Sequence, residues 1–182
     1  MIDLTALETA LTDLPLYEYF HFTTDELVFS DRIRWICEHE CPMYGKSWAC
    51  PPGTGTVGQC RGKCLSFAKG LCVSTIVEVE DIADIEETLA TRPAHEATTE
   101  QVAELLQQQG AKETYILSTE ACAVCDRCAI LDGQPCRLPE RMHPCVESHG
   151  INLLSLLDEM GLAFQYGENV VTWFSLLFYN DK

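Results

Sequence analysis

Four cysteines, Cys122, Cys125, Cys128 and Cys136, form a short run that constrains this chain more than any other feature. Two consecutive two-residue gaps place three thiols on one tight loop, and the fourth thiol follows after seven residues. The thiolates that hold a four-iron cluster must converge on one small cube, and ferredoxin runs begin with the same gaps. Structural zinc sites more often use two separated pairs of ligands. The run therefore predicts a [4Fe-4S] cluster first and zinc second.

A second cysteine-rich segment, at residues 37–70, carries three thiols within fourteen residues, Cys37, Cys41 and Cys50. Proline follows two of them and would stiffen a ligand loop. The sequence leaves the fourth position open, because one iron could lack a protein ligand or one of several residues could fill it. The candidates are Cys60, Cys64, Cys72, Cys145 and His39. Zinc is the alternative here, since Cys37, Cys41, Cys60 and Cys64 have a paired spacing that suits it.

Two familiar motifs fail on their surroundings. Cys60 and Cys64 could open a radical-SAM signature, but Phe67 stands where the third cysteine is needed. Residues 53–58 spell G-x-G-x-x-G, yet they follow Cys-Pro-Pro, whereas a dinucleotide-binding string follows a strand and opens a helix. These glycines are expected to wrap a cluster or to form a simple loop.

A polar stretch precedes the last predicted helix. Arg137 and Arg141 could screen a negatively charged cluster or hold an anionic ligand. His143, Glu147 and His149 could transfer protons. Helix capping and surface salt bridges explain the same residues, and that interpretation is slightly favoured.

Composition narrows the class of function. The chain has 182 residues, eleven cysteines and a formal charge of −16. An odd cysteine count without a secretory leader indicates a reducing, cytoplasmic compartment, where clustered thiols bind metals or act in redox chemistry. The negative charge argues against nucleic acid as a partner. It suits docking onto a basic patch of a redox partner protein, and solubility alone explains the same charge. No apolar stretch reaches the roughly 20 residues that a membrane span needs.

Hydrophobic periodicity predicts one domain, residues 1–182, of the α/β or α+β class. We expect a small mixed, partly parallel sheet with flanking helices and two cysteine-rich metal-binding loops. The predicted helices are residues 4–14, 81–90, 94–109 and 151–160, and the predicted strands are residues 27–36, 71–79, 113–118 and 170–179. Each cysteine-rich loop follows a predicted strand, so parallel strands would bring both loops to the same sheet edge.

Three cysteine-containing segments of the chain are together specific enough to indicate a protein family. Residues 34–37, 41–52 and 122–140 resemble a family of small cysteine-rich proteins from anaerobic bacteria and archaea, described as predicted metal-binding proteins of unknown function. The resemblance covers residues 28–178 and implies a metal or iron–sulfur protein of anaerobic metabolism, with no stated reaction. It implies seven core positions, Cys37, Cys41, Cys50, Cys122, Cys125, Cys128 and Cys136. It implies three less regular ones, Cys60, Cys64 and Cys145.

The leading hypothesis is a cytoplasmic protein with one or two [4Fe-4S] clusters that acts in electron transfer or as a redox accessory protein. The first alternative is an enzyme that binds a small molecule or sulfide at an open iron of the first loop. The second is a zinc-binding structural or interaction module. No residue is assigned a catalytic role from the sequence, and oligomeric state stays open.

Overall fold

An antiparallel sheet organises the computed structural model, which describes residues 2–181. The four strands of this region are β1 Glu18–Thr23, β2 Lys69–Glu78, β3 Ala111–Ser118 and β4 Val170–Asp181, in the spatial order β1-β2-β4-β3. All three strand pairs are antiparallel. The mixed α/β class is confirmed, whereas the expectation of a partly parallel sheet is wrong. Alternating apolar residues mark a strand but carry no information about its direction.

Helices cover both faces of the sheet. They are α1 Leu4–Leu11, α2 Asp31–His39, α3 Val57–Leu65, α4 Ile85–Ala90, α5 Arg92–Gln108 and α6 Leu153–Met160. The Asp3 carboxylate accepts the N–H of Ala6 and caps α1. Gly161, with φ of +69°, ends α6 in the left-handed conformation that glycine tolerates. The predictions of α1, α6, β2, β3 and β4 are confirmed within a few residues at each end.

The prediction of a strand at residues 27–36 is wrong, because most of this segment belongs to α2. Two arginines alternate with apolar residues there and imitate a strand with one solvent face. Arg34 is in fact buried, and its guanidinium donates to the carbonyl of Ser148 at 2.6 Å. Arg34 and Cys37 face inward three residues apart while Trp35 is exposed, which is the helical period.

Two elements were missed altogether. Strand β1 was not predicted, and α3 lies where the sequence indicated a glycine-rich loop. Thr56 and Gln59 form a capping box at the start of α3, so the S/T-x-x-E/Q pattern was an available signal. The G-x-G-x-x-G string therefore does run into a helix, but turns rather than a strand precede it.

Two hydrophobic clusters, one on each face, hold the sheet in place. On one face, Leu7 of α1 and Val102 of α5 pack against Leu71 of β2. On the other face, Leu156 of α6 packs with Cys72, the residue after Leu71 in β2. Successive residues of a strand point to opposite faces, which explains this division. Within residues 2–181 we find no helix long and apolar enough to cross a bilayer.

Candidate metal centres

The four thiols of the 122–136 run line one small cavity of about 20 Å³. The run leaves the sheet after β3 and crosses a short 3₁₀ turn at Ala129–Asp132. Gly133, with φ of +65°, then reverses the chain in the left-handed conformation. This reversal brings Cys136 back to the cavity that Cys122, Cys125 and Cys128 already line. Turns within the run therefore gather this set, which we call the second-loop site.

Contacts from outside the run fix the second-loop site. The indole N–H of Trp48, from the first cysteine-rich segment, donates to the carbonyl of Gln134 at 3.0 Å. Arg137 donates to the carbonyl of Arg127 at 2.8 Å, which ties the end of the run to its middle. Trp48 and Arg137 also line the cavity. An aromatic ring and a cation thus stand beside the four thiols.

The thiols of Cys37, Cys41 and Cys50 line a second cavity of about 200 Å³, together with the thiol of Cys145. We call this the first-loop site. Its walls are otherwise mainly apolar, and the carboxylates of Glu120 and Glu147 also line it. The backbone of Cys145 is fixed beside this loop, because its N–H donates to the carbonyl of Ala49 at 2.9 Å. The Cys145 thiol itself donates to the Glu147 carboxylate at 2.6 Å.

Burial changes the acidity of these thiols. It raises the pKa of Cys37 to about 11 and that of Cys50 to about 12, and it raises those of Cys122 and Cys145 above the ordinary value. These four groups therefore carry their protons at neutral pH. Metals bind the deprotonated thiolate, so loading such a site must release protons.

The other candidate ligands of the first loop lie elsewhere. The Cys60 thiol donates a hydrogen bond to the carbonyl of Thr54 at 3.2 Å, and Cys64 is fully buried in the core. Cys72 lies in the same core, and the ring of His39 stacks on Trp35 at 4.5 Å. The thiols that line the two cavities include neither Cys60 nor Cys64. The alternative zinc site, made of Cys37, Cys41, Cys60 and Cys64, is therefore not assembled.

The polar residues that precede α6 lie in different parts of the structure. His149 is buried beside the Tyr115 hydroxyl at 2.6 Å, and burial lowers its pKa to about 4. Arg141 is exposed and lies 3.9 Å from Glu100. His143 is buried and contacts α5 instead. These residues do not form one acid–base cluster.

A buried charged network on α5 was missed by sequence reasoning. Glu96 accepts from Arg92 at 3.1 Å, from the Ser118 hydroxyl at 2.6 Å and from His143 Nδ1 at 2.7 Å. Arg92, only 2% exposed, also donates to the carbonyl of Ala121. Burial raises the pKa of Glu96, but the hydrogen bond from His143 and the charge of Arg92 outweigh it and lower that pKa to about 2. The network joins α5 to the end of β3 and to the second cysteine-rich loop.

Two thiol-lined cavities on a helix-covered sheet define a cysteine-rich protein suited to soft metals. Among the described side chains, no three of His, Cys, Asp or Glu converge closely enough to hold a single ion. Residues 21–179 match the model of the family described as predicted metal-binding protein, DUF2284. The chain belongs to this family, as the resemblance implied. No curated protein and no solved structure matches it.

Proposed function

We propose that this metal-binding protein holds a [4Fe-4S] cluster at the second-loop site and acts in electron transfer, or as a redox accessory protein, in the cytoplasm of an anaerobe. One observation carries the proposal. Cys122, Cys125, Cys128 and Cys136 line a single cavity, and the first three have the spacing with which ferredoxin runs begin.

The donor chemistry of the second-loop site fits such a cluster. Its lining consists of four thiols, apolar side chains and the Arg137 guanidinium. Thiolates are the ligands that iron–sulfur clusters use, and the bound group would supply one-electron redox chemistry. Arg137 would offset its negative charge, while Trp48 and Met142 would limit the access of water. Charge and solvent access both tune a reduction potential.

The size of this cavity supports a second candidate on the same thiols. About 20 Å³ is little more than the roughly 10–15 Å³ that one water molecule needs. A cluster would require the thiols to move outward, whereas a single zinc ion would need a smaller adjustment. Outward movement would disrupt few contacts, since the run is partly exposed and lies outside the strands and α-helices. A structural zinc module is therefore the alternative function.

The charge of the chain supports the electron-transfer role. With 28 acidic and 12 basic residues, the protein would attract a redox partner with a basic surface. Association of this kind slows as salt screens the charges. We therefore expect the rate of reduction by a basic partner to fall between 50 and 300 mM salt.

Metal analysis tests the proposal directly. Protein purified under anaerobic conditions is assayed for iron, acid-labile sulfide and zinc, with electron paramagnetic resonance before and after dithionite. The Cys125→Ser/Cys128→Ser variant should lose about four irons per chain relative to wild type. Cys60→Ser is the matched control, because that thiol lies outside both cavities, and it should retain all its iron. Stoichiometric zinc without sulfide would establish the zinc alternative instead. A cluster that cannot be reversibly reduced in a mediated titration would refute the electron-transfer role.

A further inference from the structure

We propose that Cys145 completes the first-loop site and that Cys37, Cys41, Cys50 and Cys145 hold a second iron–sulfur cluster. The sequence leaves the fourth ligand of this site open. The structure places all four cysteines in the lining of one cavity.

Three separate parts of the chain build this wall. Cys37 lies in the last turns of α2, and Cys41 follows just after that helix ends. Cys50 comes from the loop before Pro51. Cys145 arrives from the segment after β3, about a hundred residues further along. Thiols drawn from such distant segments line one cavity only because the folded backbone brings them there.

Backbone hydrogen bonds position Cys145 on two sides. Its N–H donates to the carbonyl of Ala49, the residue before Cys50. It also forms a parallel bridge with Ser118, the last residue of β3, which receives a hydrogen bond from the N–H of Val146. The position of Cys145 next to Cys50 is therefore set by main-chain contacts on both sides. A flexible surface thiol would lack these constraints.

The volume and chemistry of the cavity favour a cluster over one ion. A space of about 200 Å³ exceeds the roughly 10–15 Å³ needed for a water molecule more than tenfold. A tetrahedral zinc ion with bonds of about 2.3 Å would draw four sulfurs to a point and leave most of this space unfilled. Two carboxylates, Glu120 and Glu147, also line the cavity, but iron–sulfur clusters are held by thiolates.

A completed set of four thiols bears on the enzymatic alternative. That hypothesis needed a three-cysteine loop with one iron open to a small molecule. With Cys145 in place, every iron of a four-iron cluster has a thiolate ligand from the chain. We expect cyanide added to the reduced protein to leave the spectrum of this centre unchanged.

The two sites are adjacent along the chain. Ala121 lines the first-loop cavity and the next residue, Cys122, lines the second-loop cavity. Metal clusters bound next to consecutive residues would lie close enough to interact magnetically. This consequence rests on the proposed function of the second-loop site. The ligand role of Cys145 does not.

The test is made in two backgrounds, so that failure at one site is not confused with failure at the other. In the Cys125→Ser/Cys128→Ser variant, which lacks the second-loop site, anaerobic reconstitution with iron and sulfide should still give about four irons per chain. Adding Cys145→Ala should abolish that iron, as should adding Cys50→Ala. Adding Cys60→Ala, whose thiol lies outside both cavities, should leave it unchanged.

Retention of full iron and an unaltered resonance spectrum by the Cys145→Ala variant would overturn the proposal. Equal loss in the Cys60→Ala control, or stoichiometric zinc in place of iron, would overturn it as well. Circular dichroism of each metal-free variant checks that the fold persists. If Cys145→Ala unfolds, Cys145→Ser keeps the volume, and a shifted resonance spectrum would then support ligation. In wild-type protein, splitting of the reduced spectrum that disappears in either single-site variant is the expected sign of two neighbouring centres.

Discussion

The buried contact between Glu96 and Arg92 gives the sharpest prediction of stability. Glu96 accepts hydrogen bonds from Arg92 of the same helix, from Ser118 at the end of β3 and from His143 of the second cysteine-rich loop. In a Glu96→Gln variant the charge disappears but the volume stays nearly the same. The Arg92 guanidinium would then be a buried cation without the negative charge of Glu96, and the carbonyl of Ala121 would still accept its hydrogen bond.

The expected magnitude follows from burial. Removing one partner of a buried ion pair costs about 3–5 kcal/mol, because the remaining charge is desolvated without compensation. The side chain of Arg92 is 2% exposed and that of Glu96 is 22% exposed, so some water reaches the pair. Glutamine also retains one acceptor oxygen. We therefore expect Glu96→Gln to lower the free energy of unfolding by about 3 kcal/mol, at the lower end of that range.

Urea denaturation of the metal-free protein, under reducing anaerobic conditions and followed by tryptophan fluorescence, measures this change. Glu100→Gln is the control, since Glu100 lies one turn further along α5 and its side chain is 45% exposed. Exposed pairs contribute at most about 1 kcal/mol, so this variant should resemble wild type. Because the pKa of Glu96 is lowered to about 2, its contribution is present above its ordinary pKa and is lost as the pH falls towards 2. A Glu96→Gln variant within 1 kcal/mol of wild type at pH 7 would refute the reasoning.

Three further predictions concern other parts of the fold. Burial lowers the pKa of His95 to about 4, so its neutral form contributes about 3 kcal/mol that is lost between pH 6.5 and 4. His149, whose pKa is also lowered to about 4, adds a similar loss. Urea denaturation across this range should therefore show a loss of stability that is about 3 kcal/mol smaller in His95→Gln than in wild type. A methyl group on Gly70 would overlap the ring of Phe22, so Gly70→Ala should lower the melting temperature and reduce the free energy of unfolding by about 1–3 kcal/mol. Gly62→Ala is the control, because a methyl group there meets no neighbour, and it should not lower the melting temperature. The Asp84 carboxylate accepts two backbone N–H groups at the start of α4, so Asp84→Ala should speed amide exchange there, consistent with a loss of about 1 kcal/mol.

Local features of the fold could be predicted from the sequence, and non-local ones could not. The continuous apolar run of β4 and the terminal signals Asp3 and Gly161 depend on neighbouring residues alone. Strand direction depends on which strands meet, and β4 inserts between β2 and β3. Arg34 misled the prediction of α2 because an arginine is expected to face solvent, yet here the backbone carbonyl of Ser148 accepts its hydrogen bond inside the protein.

The candidate site follows the same division. The second-loop site could be predicted as a group, because all four of its cysteines lie within one short run. Cys145 was one of several candidates for the first-loop site, and only the fold separates it from Cys60 and Cys64. Glu96 and His143 are far apart in sequence, and no local pattern indicates that they meet. The expectation that parallel strands bring both loops to one sheet edge is wrong, because α2 rather than a strand precedes the first loop and the sheet is antiparallel. The two loops contact each other instead through main-chain hydrogen bonds such as that from Cys145 to Ala49.

The different chain distances spanned by the two thiol sets have a consequence for biosynthesis. Residues 122–136 could capture a metal on an emerging or partly folded chain, because closing so short a loop costs little entropy. The set of Cys37, Cys41, Cys50 and Cys145 does not exist until β3 is in place and the segment beyond it has docked beside Ala49. Metal at the first-loop site would therefore be acquired late and would report completed folding, whereas metal at the second-loop site would not.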